Sequence, residues 1–166
     1  MTVLELIQKS AEFLARKGVE SPRLQVELLL AHLLKLPRMK LYLNFERALT
    51  PAEVDDFRTL IKRRGEREPL QHIVGSTSFC GLELSVNRHV LVPRPETELL
   101  VDLALERNPS AVLDLGTGSG ALALALATER PQCEFIAADA SAEALAVARI
   151  NAAALDEIEV EFRQGS

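Results

Sequence analysis

The chain has 166 residues, enough for one ordinary domain or two small ones, and this length excludes a large multidomain enzyme. Hydrophobic residues make up 48% and charged residues 26% of the sequence, a composition that excludes intrinsic disorder and fibrous repeats. The net charge of −5 is uneven, since residues 1–75 hold 13 Lys or Arg against 10 Asp or Glu and residues 76–166 hold 6 against 14. This asymmetry predicts two domains, the second too acidic for direct nucleic-acid binding.

The sequence shows no pattern of a membrane span or a secretion signal. Its leucine-rich run Leu28–Leu34 is broken by His32 and falls short of the roughly 18 apolar residues of a span. Glu5 lies where a secretory peptide carries positive charge. The two cysteines suggest neither a disulfide framework nor a metal cluster. We therefore expect a cytoplasmic protein with no membrane partner and no metal site.

The first part of the chain predicts helices. Thr2 and Glu5 form a capping box ahead of a helix that ends at Gly18. Ser21 and Pro22 are typical of the N-cap and first residue of a second helix. The spacing of its apolar residues predicts a buried side made of Leu24, Leu28, Ala31 and Leu34, together with the neighbouring leucines.

Two further helical segments complete a bundle over residues 1–70. Met39–Phe45 is a weaker helical segment, and Thr50 caps a helix that ends near Gly65. No side chain here forms a constellation with obvious chemistry, so we expect this domain to recognise a macromolecule. A basic cluster is either a solvated helix face or a contact for an acidic partner: Arg58, Lys62, Arg63, Arg64 and Arg67.

Residues 71–93 predict a β-hairpin linker between the domains. Leu82, Leu84 and Val86 alternate with polar residues, and Gly81 marks the turn. Residues 94–166 then alternate helices and strands, which predicts a parallel, doubly wound sheet. The expected elements are a helix opened by Pro95, strands Ala111–Leu115, Glu134–Ala138 and Ile158–Phe162, and helices Ala121–Ala127 and Ala142–Ala153.

A glycine-rich loop follows the first of these strands and fits two cofactor patterns. Gly116, Gly118 and Ala121 satisfy the dinucleotide pattern G-x-G-x-x-[GA], whereas Asp114 and the three loop glycines satisfy the D-x-G-x-G-x-G pattern of S-adenosylmethionine (SAM) methyltransferases. A pyrophosphate would be repelled by the Asp114 carboxylate, whereas the methionyl end of SAM carries a sulfonium and an ammonium. Electrostatics therefore favours SAM over a nicotinamide cofactor.

A second acidic residue, Asp139, lies 23 residues after Gly116 at the end of the next strand. An acid at this position can accept hydrogen bonds from both ribose hydroxyls of either cofactor. The alternative interpretation places Asp139 in the N-cap region of the next helix, where Ser141 is a competing cap.

Motifs along the whole chain resemble one family. They are Ser21-Pro22-Arg23, Glu68-Pro69-Leu70-Gln71-His72-Ile73-Val74-Gly75, Val92-Pro93-Arg94-Pro95-Glu96-Thr97-Glu98, Asp114-Leu115-Gly116-Thr117-Gly118-Ser119-Gly120 and Asp139-Ala140-Ser141. With these motifs the chain resembles the HemK family, the bacterial protein-(glutamine-N5) methyltransferases that modify peptide-chain release factors. The resemblance implies a helical release-factor-recognition domain, a hairpin linker and the first half of a Rossmann-like SAM-binding domain.

The resemblance also implies the reaction and the cofactor residues. The SAM methyl group is transferred to the side-chain amide nitrogen of the glutamine in the release factor's Gly-Gly-Gln motif. The implied cofactor-binding residues are Gly116, Thr117, Gly118, Ser119, Gly120 and Asp139, with Asp114 added by the loop pattern.

The sequence departs from the family pattern in one respect, because it contains no Asn-Pro-Pro-Tyr loop. In the family this loop follows the fourth strand and holds the glutamine amide, so the chain is interpreted as truncated and no catalytic residue is assigned. Asn108-Pro109 is a turn and not this loop. Residues 1–166 are expected to be inactive by themselves, and the first strand, unpaired on one side, to favour self-association through its edge.

Two other functions remain open at this point. One is a non-catalytic SAM-binding or interaction module, which the gene sequence beyond codon 166 would distinguish from a truncated enzyme. The other is a nicotinamide oxidoreductase, which Asp114 disfavours.

Overall fold

The computed structural model describes residues 1–155 and 158–165. Their contacts divide the chain into two compact units, Met1–Val74 and Gly75–Ser166. None of the helices in the described residues combines the length and apolar composition that crossing a membrane needs.

The first unit consists of helices, as its apolar spacing predicts. They are α1 (Val3–Arg16), α2 (Pro22–Leu34), α3 (Arg38–Tyr42), α4 (Pro51–Gly65) and α5 (Leu70–Val74). The short α5 lies in the segment interpreted as linker, yet Ile73 is buried in the core of the first unit. The first unit thus extends four residues past position 70, because the apolar residues of α5 pack against the bundle.

Two of the predicted helix starts are confirmed in atomic detail. The Thr2 hydroxyl accepts from the Glu5 N–H at 3.3 Å, and the Glu5 carboxylate accepts from the Thr2 N–H at 3.0 Å. Thr50 and Glu53 form the same reciprocal pair ahead of α4. As predicted, Ser21 occupies the N-cap position of α2 and Pro22 is its first residue, but the Ser21 side chain makes no cap hydrogen bond and its backbone is left-handed (φ 46°).

The buried face of α2 agrees with the prediction only in part. Leu24 is 41% exposed, and the buried positions are Val26, Leu29, Leu30, Ala31 and, among them, Glu27. Because α2 is apolar nearly all round, its sequence contains no single stripe that selects the inward face. Ala31 and the neighbouring Leu29 and Leu30 are thus buried as predicted, whereas Leu28 and Leu34 are half-buried.

Glu27 is the centre of a polar cluster in the first unit. Its carboxylate accepts from Arg23 Nε at 3.0 Å, from Arg38 at 3.1 Å and from the Tyr42 hydroxyl at 2.9 Å. Burial by itself would raise the pKa of Glu27, but the hydrogen bonds from these partners outweigh it and hold the pKa below the ordinary glutamate value. The carboxylate is therefore ionised and ties α2 to α3.

Most of the basic cluster near the end of α4 is paired within the first unit. Arg63 makes a two-pronged contact with Glu68 at 2.6 and 2.7 Å, and Arg58 contacts Asp55 at 2.7 Å. Arg64 donates to Gln25 of α2 at 2.9 Å. These internal contacts favour the structural interpretation of the cluster over a free surface for an acidic partner.

The second unit combines a hairpin with a parallel sheet, and its fold class is as predicted. Strands β1 (Ser76–Phe79) and β2 (Leu82–Ser85) are antiparallel, and β3, β4 and β5 form a parallel sheet in that order. The remaining elements are a 3₁₀ turn (Pro95–Thr97), α6 (Glu98–Glu106), β3 (Ala111–Leu115), α7 (Ala121–Glu129), β4 (Glu134–Asp139), α8 (Ala142–Ala153) and β5 (Glu161–Gln164).

The position of β5 corrects the prediction of a strand over Ile158–Phe162. The strand is displaced toward the C-terminus because Ile136 of β4 pairs with Glu161 and Asp139 pairs with Gln164. Ile158 and Val160 are partly buried against the core without belonging to the strand. Ile158 and Val160 alternate with glutamates because they pack against the core, and not because they pair with β4.

The hairpin belongs to the core of the second unit. Phe79 and Leu84 are at most 1% exposed and pack in one cluster with Leu124 of α7 and Phe135 of β4.

Strand β3 is an edge strand of the parallel sheet within the described residues. Its side chains Leu113 and Leu115 are 59% and 70% exposed, which is the kind of apolar edge that can pair with another chain. Self-association through this edge stays a prediction.

Candidate functional site

The predicted cofactor residues converge at the carboxyl ends of two neighbouring parallel strands. Asp114 and Leu115 of β3 pair with Ala137 and Ala138 of β4, so the glycine loop after β3 lies beside Asp139, the last residue of β4. This edge of a parallel sheet is where α/β folds bind their ligands, because the helix N-termini and the loops meet there.

Backbone hydrogen bonds hold the loop against the end of β4. Both the Gly116 and Thr117 N–H groups donate to the Ala138 carbonyl, at 2.9 and 3.0 Å. The Gly120 N–H donates back to the Thr117 carbonyl at 2.8 Å, which closes the turn into α7. These three hydrogen bonds define the conformation of the loop.

The Asp139 carboxylate connects the loop to the next helix. Its Oδ2 accepts from the Gly118 N–H and its Oδ1 from the Ser141 N–H, both at 2.9 Å. The Ser141 hydroxyl accepts from the Ala144 N–H at 3.1 Å, so Ser141 is the side chain that caps α8. Asp139 is thus not the cap, and its predicted contact with a ribose stays a prediction.

Asp114 is half-buried beneath the loop. Its Oδ2 accepts from the Thr117 hydroxyl at 2.7 Å. Thr117 and Ser119 are only 7% and 3% exposed. These two of the five predicted loop residues are therefore almost entirely buried, which the motif alone does not reveal.

A cleft of about 170 Å³ opens beside the loop. The segment before α6 also lines this cleft, a position that its sequence did not predict. Besides Asp114 and the loop, the lining consists of Leu91, Pro93, Arg94, Thr97, Ala121 and Leu122. The structure thus places Arg94 and Thr97 next to the predicted cofactor loop.

A larger cleft of about 700 Å³ lies at the opposite edge of the sheet. Its lining includes Glu134 and Glu161, the first residues of β4 and β5. Amino ends of parallel strands are not where this fold class binds ligands. The smaller cleft beside the glycine loop is therefore the candidate site.

Two family models match the chain, one on each compact unit. The model of the PrmC N-terminal domain matches residues 5–75, and that of a methyltransferase domain matches residues 107–166. The chain is 44% identical over 160 residues to the release factor glutamine methyltransferase of Chlorobaculum tepidum, which covers 91% of this chain and 54% of that protein. The proteins of the same name from Geobacter sulfurreducens and Deinococcus radiodurans are 44% identical over 153 residues and 42% identical over 170 residues. These matches cover 91% and 100% of this chain, and 54% and 61% of the relatives.

The chain belongs to the release factor glutamine methyltransferase family. The resemblance that the motifs indicate is thereby confirmed, and so is membership in an enzyme family with a methyltransferase domain. The chain spans about half the length of the curated relatives it matches.

Two glycines of the loop in this family member are expected to differ sharply in their tolerance of alanine. Both have positive φ, 56° at Gly118 and 82° at Gly120. A Cβ at Gly118 would meet nothing within 4 Å, whereas one at Gly120 would lie 3.0 Å from Leu124 and 3.2 Å from the Ala148 Cβ. Gly118→Ala should lower the free energy of unfolding of the second unit by about 1 to 2 kcal/mol, from backbone strain alone. Gly120→Ala should lower it by about 2 to 4 kcal/mol, since overpacking adds to the strain.

Urea unfolding of both variants and of the unaltered chain measures this difference. Equal losses of stability would contradict the assignment of Gly120 to close helix packing.

Proposed function

We propose that the chain binds SAM beside the glycine loop and supplies the cofactor-binding and substrate-recognition parts of a release factor methyltransferase. The proposed reaction transfers the SAM methyl group to the side-chain amide nitrogen of the glutamine in a release factor's Gly-Gly-Gln motif. One observation carries the cofactor assignment: the loop, Asp114 and Asp139 meet at the carboxyl ends of β3 and β4.

The residues at this edge fit the chemistry of SAM. A carboxylate has about four lone-pair sites, and the contacts with Gly118 and Ser141 use two of those on Asp139. The remaining sites can accept the two ribose hydroxyls. Asp114 supplies negative charge where the methionyl end of the cofactor is cationic, and the open space at Gly118 lets a ligand approach the backbone closely.

The residues of the chain bind and orient, and in this proposal none of them transfers a proton. When bound, SAM would supply an electrophilic methyl group: the sulfur would keep the electron pair of the broken S–C bond, the amide nitrogen would bond to the methyl carbon, and one amide proton would pass to water. Asp139 and the loop fix the nucleoside end, so that the methyl group has a defined direction. Asp114 balances the positive charge of the methionyl end.

The same charges oppose a nicotinamide dinucleotide. A pyrophosphate bound at the start of α7 would lie near the Asp114 carboxylate, which accepts a hydrogen bond from the uncharged Thr117 hydroxyl. The loop itself carries no basic side chain, and Arg94 is the basic residue among those that line the cleft beside it. The charge pattern thus supports the methyltransferase cofactor.

The first unit is the proposed release-factor-recognition element. The match to the PrmC N-terminal domain covers it, and the relatives are named for their action on release factors. Its internally paired basic residues make broad electrostatic capture of nucleic acid a poor explanation of its role.

Calorimetric titration of residues 1–166 with SAM and, separately, with NAD tests the cofactor assignment. SAM should bind with a measurable heat and NAD should not, because Asp114 repels the pyrophosphate. S-adenosylhomocysteine, which lacks the sulfonium charge, is the matched control and should bind more weakly than SAM if Asp114 acts through charge. Tighter binding of NAD than of SAM would overturn the assignment.

A capture experiment tests the proposed partner. An immobilised release factor should capture the chain, and a release factor that lacks the Gly-Gly-Gln loop should not.

A further inference from the structure

Asn151 of α8 is a buried polar residue to which the sequence motifs give no role. It is 2% exposed, and both ends of its side-chain amide are hydrogen-bonded. Its Oδ1 accepts from the Ser85 N–H at 2.7 Å, and its Nδ2 donates to the Ser85 carbonyl at 3.0 Å and to the Ser119 carbonyl at 2.9 Å. One side chain therefore joins α8, the hairpin and the glycine loop.

Toward the hairpin, Asn151 acts like the peptide group of a neighbouring strand. It pairs with both backbone groups of Ser85, the last residue of β2, whose ladder partner on the other side is Ser76. A primary amide can do this because it offers one carbonyl acceptor and two N–H donors. The hairpin is thereby held in a fixed position relative to α8.

Toward the loop, Asn151 holds one particular peptide group. The Ser119 carbonyl accepts from Asn151, and the N–H at the other end of the same peptide, that of Gly120, donates to the Thr117 carbonyl. Both ends of the Ser119–Gly120 peptide are therefore fixed. This peptide follows Gly118, whose N–H contacts the Asp139 carboxylate.

We propose that Asn151 is a positioning residue for the cofactor loop: by holding the Ser119 carbonyl it keeps the loop in the form that presents Gly118 and Asp139 to the ligand. It acts through the loop and does not touch the cofactor. The inference rests on the proposed SAM site, and it adds a dependence of that site on the hairpin. Loss of the Asn151 donor frees the Ser119–Gly120 peptide to rotate, and the ordered loop is then one of several conformations.

Asn151→Asp tests this role. The aspartate keeps an acceptor for the Ser85 N–H, but it replaces the donating amide by an oxygen that faces two carbonyls. We expect SAM to bind about ten-fold more weakly, the cost of losing a buried hydrogen bond and leaving a carbonyl unpaired. Hydrogen exchange of the Gly118 and Gly120 amides, measured without SAM, should be faster than in the unaltered chain.

Val147→Ala is the matched control. Val147 lies one turn earlier on α8 and belongs to a separate apolar cluster with Val86, Val90 and Ala144. It should lower the melting temperature while SAM affinity and loop exchange stay as in the unaltered chain. A general loss of stability is thereby separated from a loss of loop order.

Each outcome decides the inference. SAM affinity within threefold of the unaltered chain and unchanged loop exchange in Asn151→Asp would overturn it. If the unaltered chain does not bind SAM, the proposed function fails, and the exchange of the Gly118 and Gly120 amides alone decides whether Asn151 orders the loop. If Asn151→Asp does not fold, as judged by circular dichroism, the uncharged Asn151→Ser is measured in its place by the same two criteria.

Discussion

Replacing Asp139 with alanine should weaken SAM binding by about ten- to several-hundred-fold. Hydrogen bonds to a charged carboxylate are worth roughly 1.5 to 3 kcal/mol each, water recovers part of this, and about 1.4 kcal/mol corresponds to a factor of ten. The variant also loses the contacts with the Gly118 and Ser141 N–H groups. The second unit should therefore lose some stability, whereas melting of the helical first unit should be nearly unchanged.

Asp139→Asn separates charge from shape. It keeps one oxygen acceptor and loses the negative charge, so its SAM affinity should fall between that of the unaltered chain and that of Asp139→Ala. Calorimetric titration measures both variants. SAM affinity of Asp139→Ala within threefold of the unaltered chain would mean that Asp139 serves only to join the loop to the start of α8.

Replacing Glu27 with alanine should lower the free energy of unfolding of the first unit by about 2 to 4 kcal/mol. Three hydrogen bonds to a charged acceptor are lost and a cavity is left. The loss stays below that of breaking a fully buried ion pair, because Arg23 and Arg38 remain 59% and 38% exposed and can be solvated. Urea unfolding measures it, and Glu12→Ala, at an exposed glutamate of α1, is the control that should change stability by less than about 0.5 kcal/mol.

The pH dependence of the Glu27 contribution has a definite sign. The pKa of Glu27 is lower in the folded state than in the unfolded chain, so its stabilisation is complete above the unfolded pKa and is lost as the pH falls through the folded pKa. Glu27→Gln imitates the protonated side chain. The stability difference between it and the unaltered chain should be largest near neutral pH and shrink below about pH 4. A difference that stays constant from pH 7 to pH 3 would contradict an ionised Glu27.

Features that depend on neighbouring residues could be predicted from the sequence. The Thr2 and Glu5 capping box involves atoms three positions apart, and the strand, glycine loop and helix that carry Gly118 follow one another directly. The position of Asp139 beside the glycine loop could be predicted too, because parallel pairing of two adjacent strands brings their carboxyl ends together. In each case the residue pattern is compatible with one local structure.

The remaining features depend on partners that are distant in sequence. Glu27 bonds to residues of α3 that follow it by 11 and 15 positions, and Asn151 contacts Ser85, which precedes it by 66. A buried polar residue on an apolar helix gives no sign of where its partners lie. The register of β5 is decided by β4, and the inward face of α2 by the helices around it, so neither could be derived from its own residues.

The contact between Asn151 and Ser85 has a consequence for synthesis of the protein on the ribosome. The hairpin is made 66 residues before the side chain that fixes it. At roughly 5 to 20 residues per second, this interval lasts on the order of 3 to 13 s. Phe79 and Leu84 belong to a core whose other members, Leu124 and Phe135, are also synthesised later. During that interval we expect the nascent hairpin to expose apolar side chains and an unpaired strand edge, which favours aggregation or the binding of a chaperone.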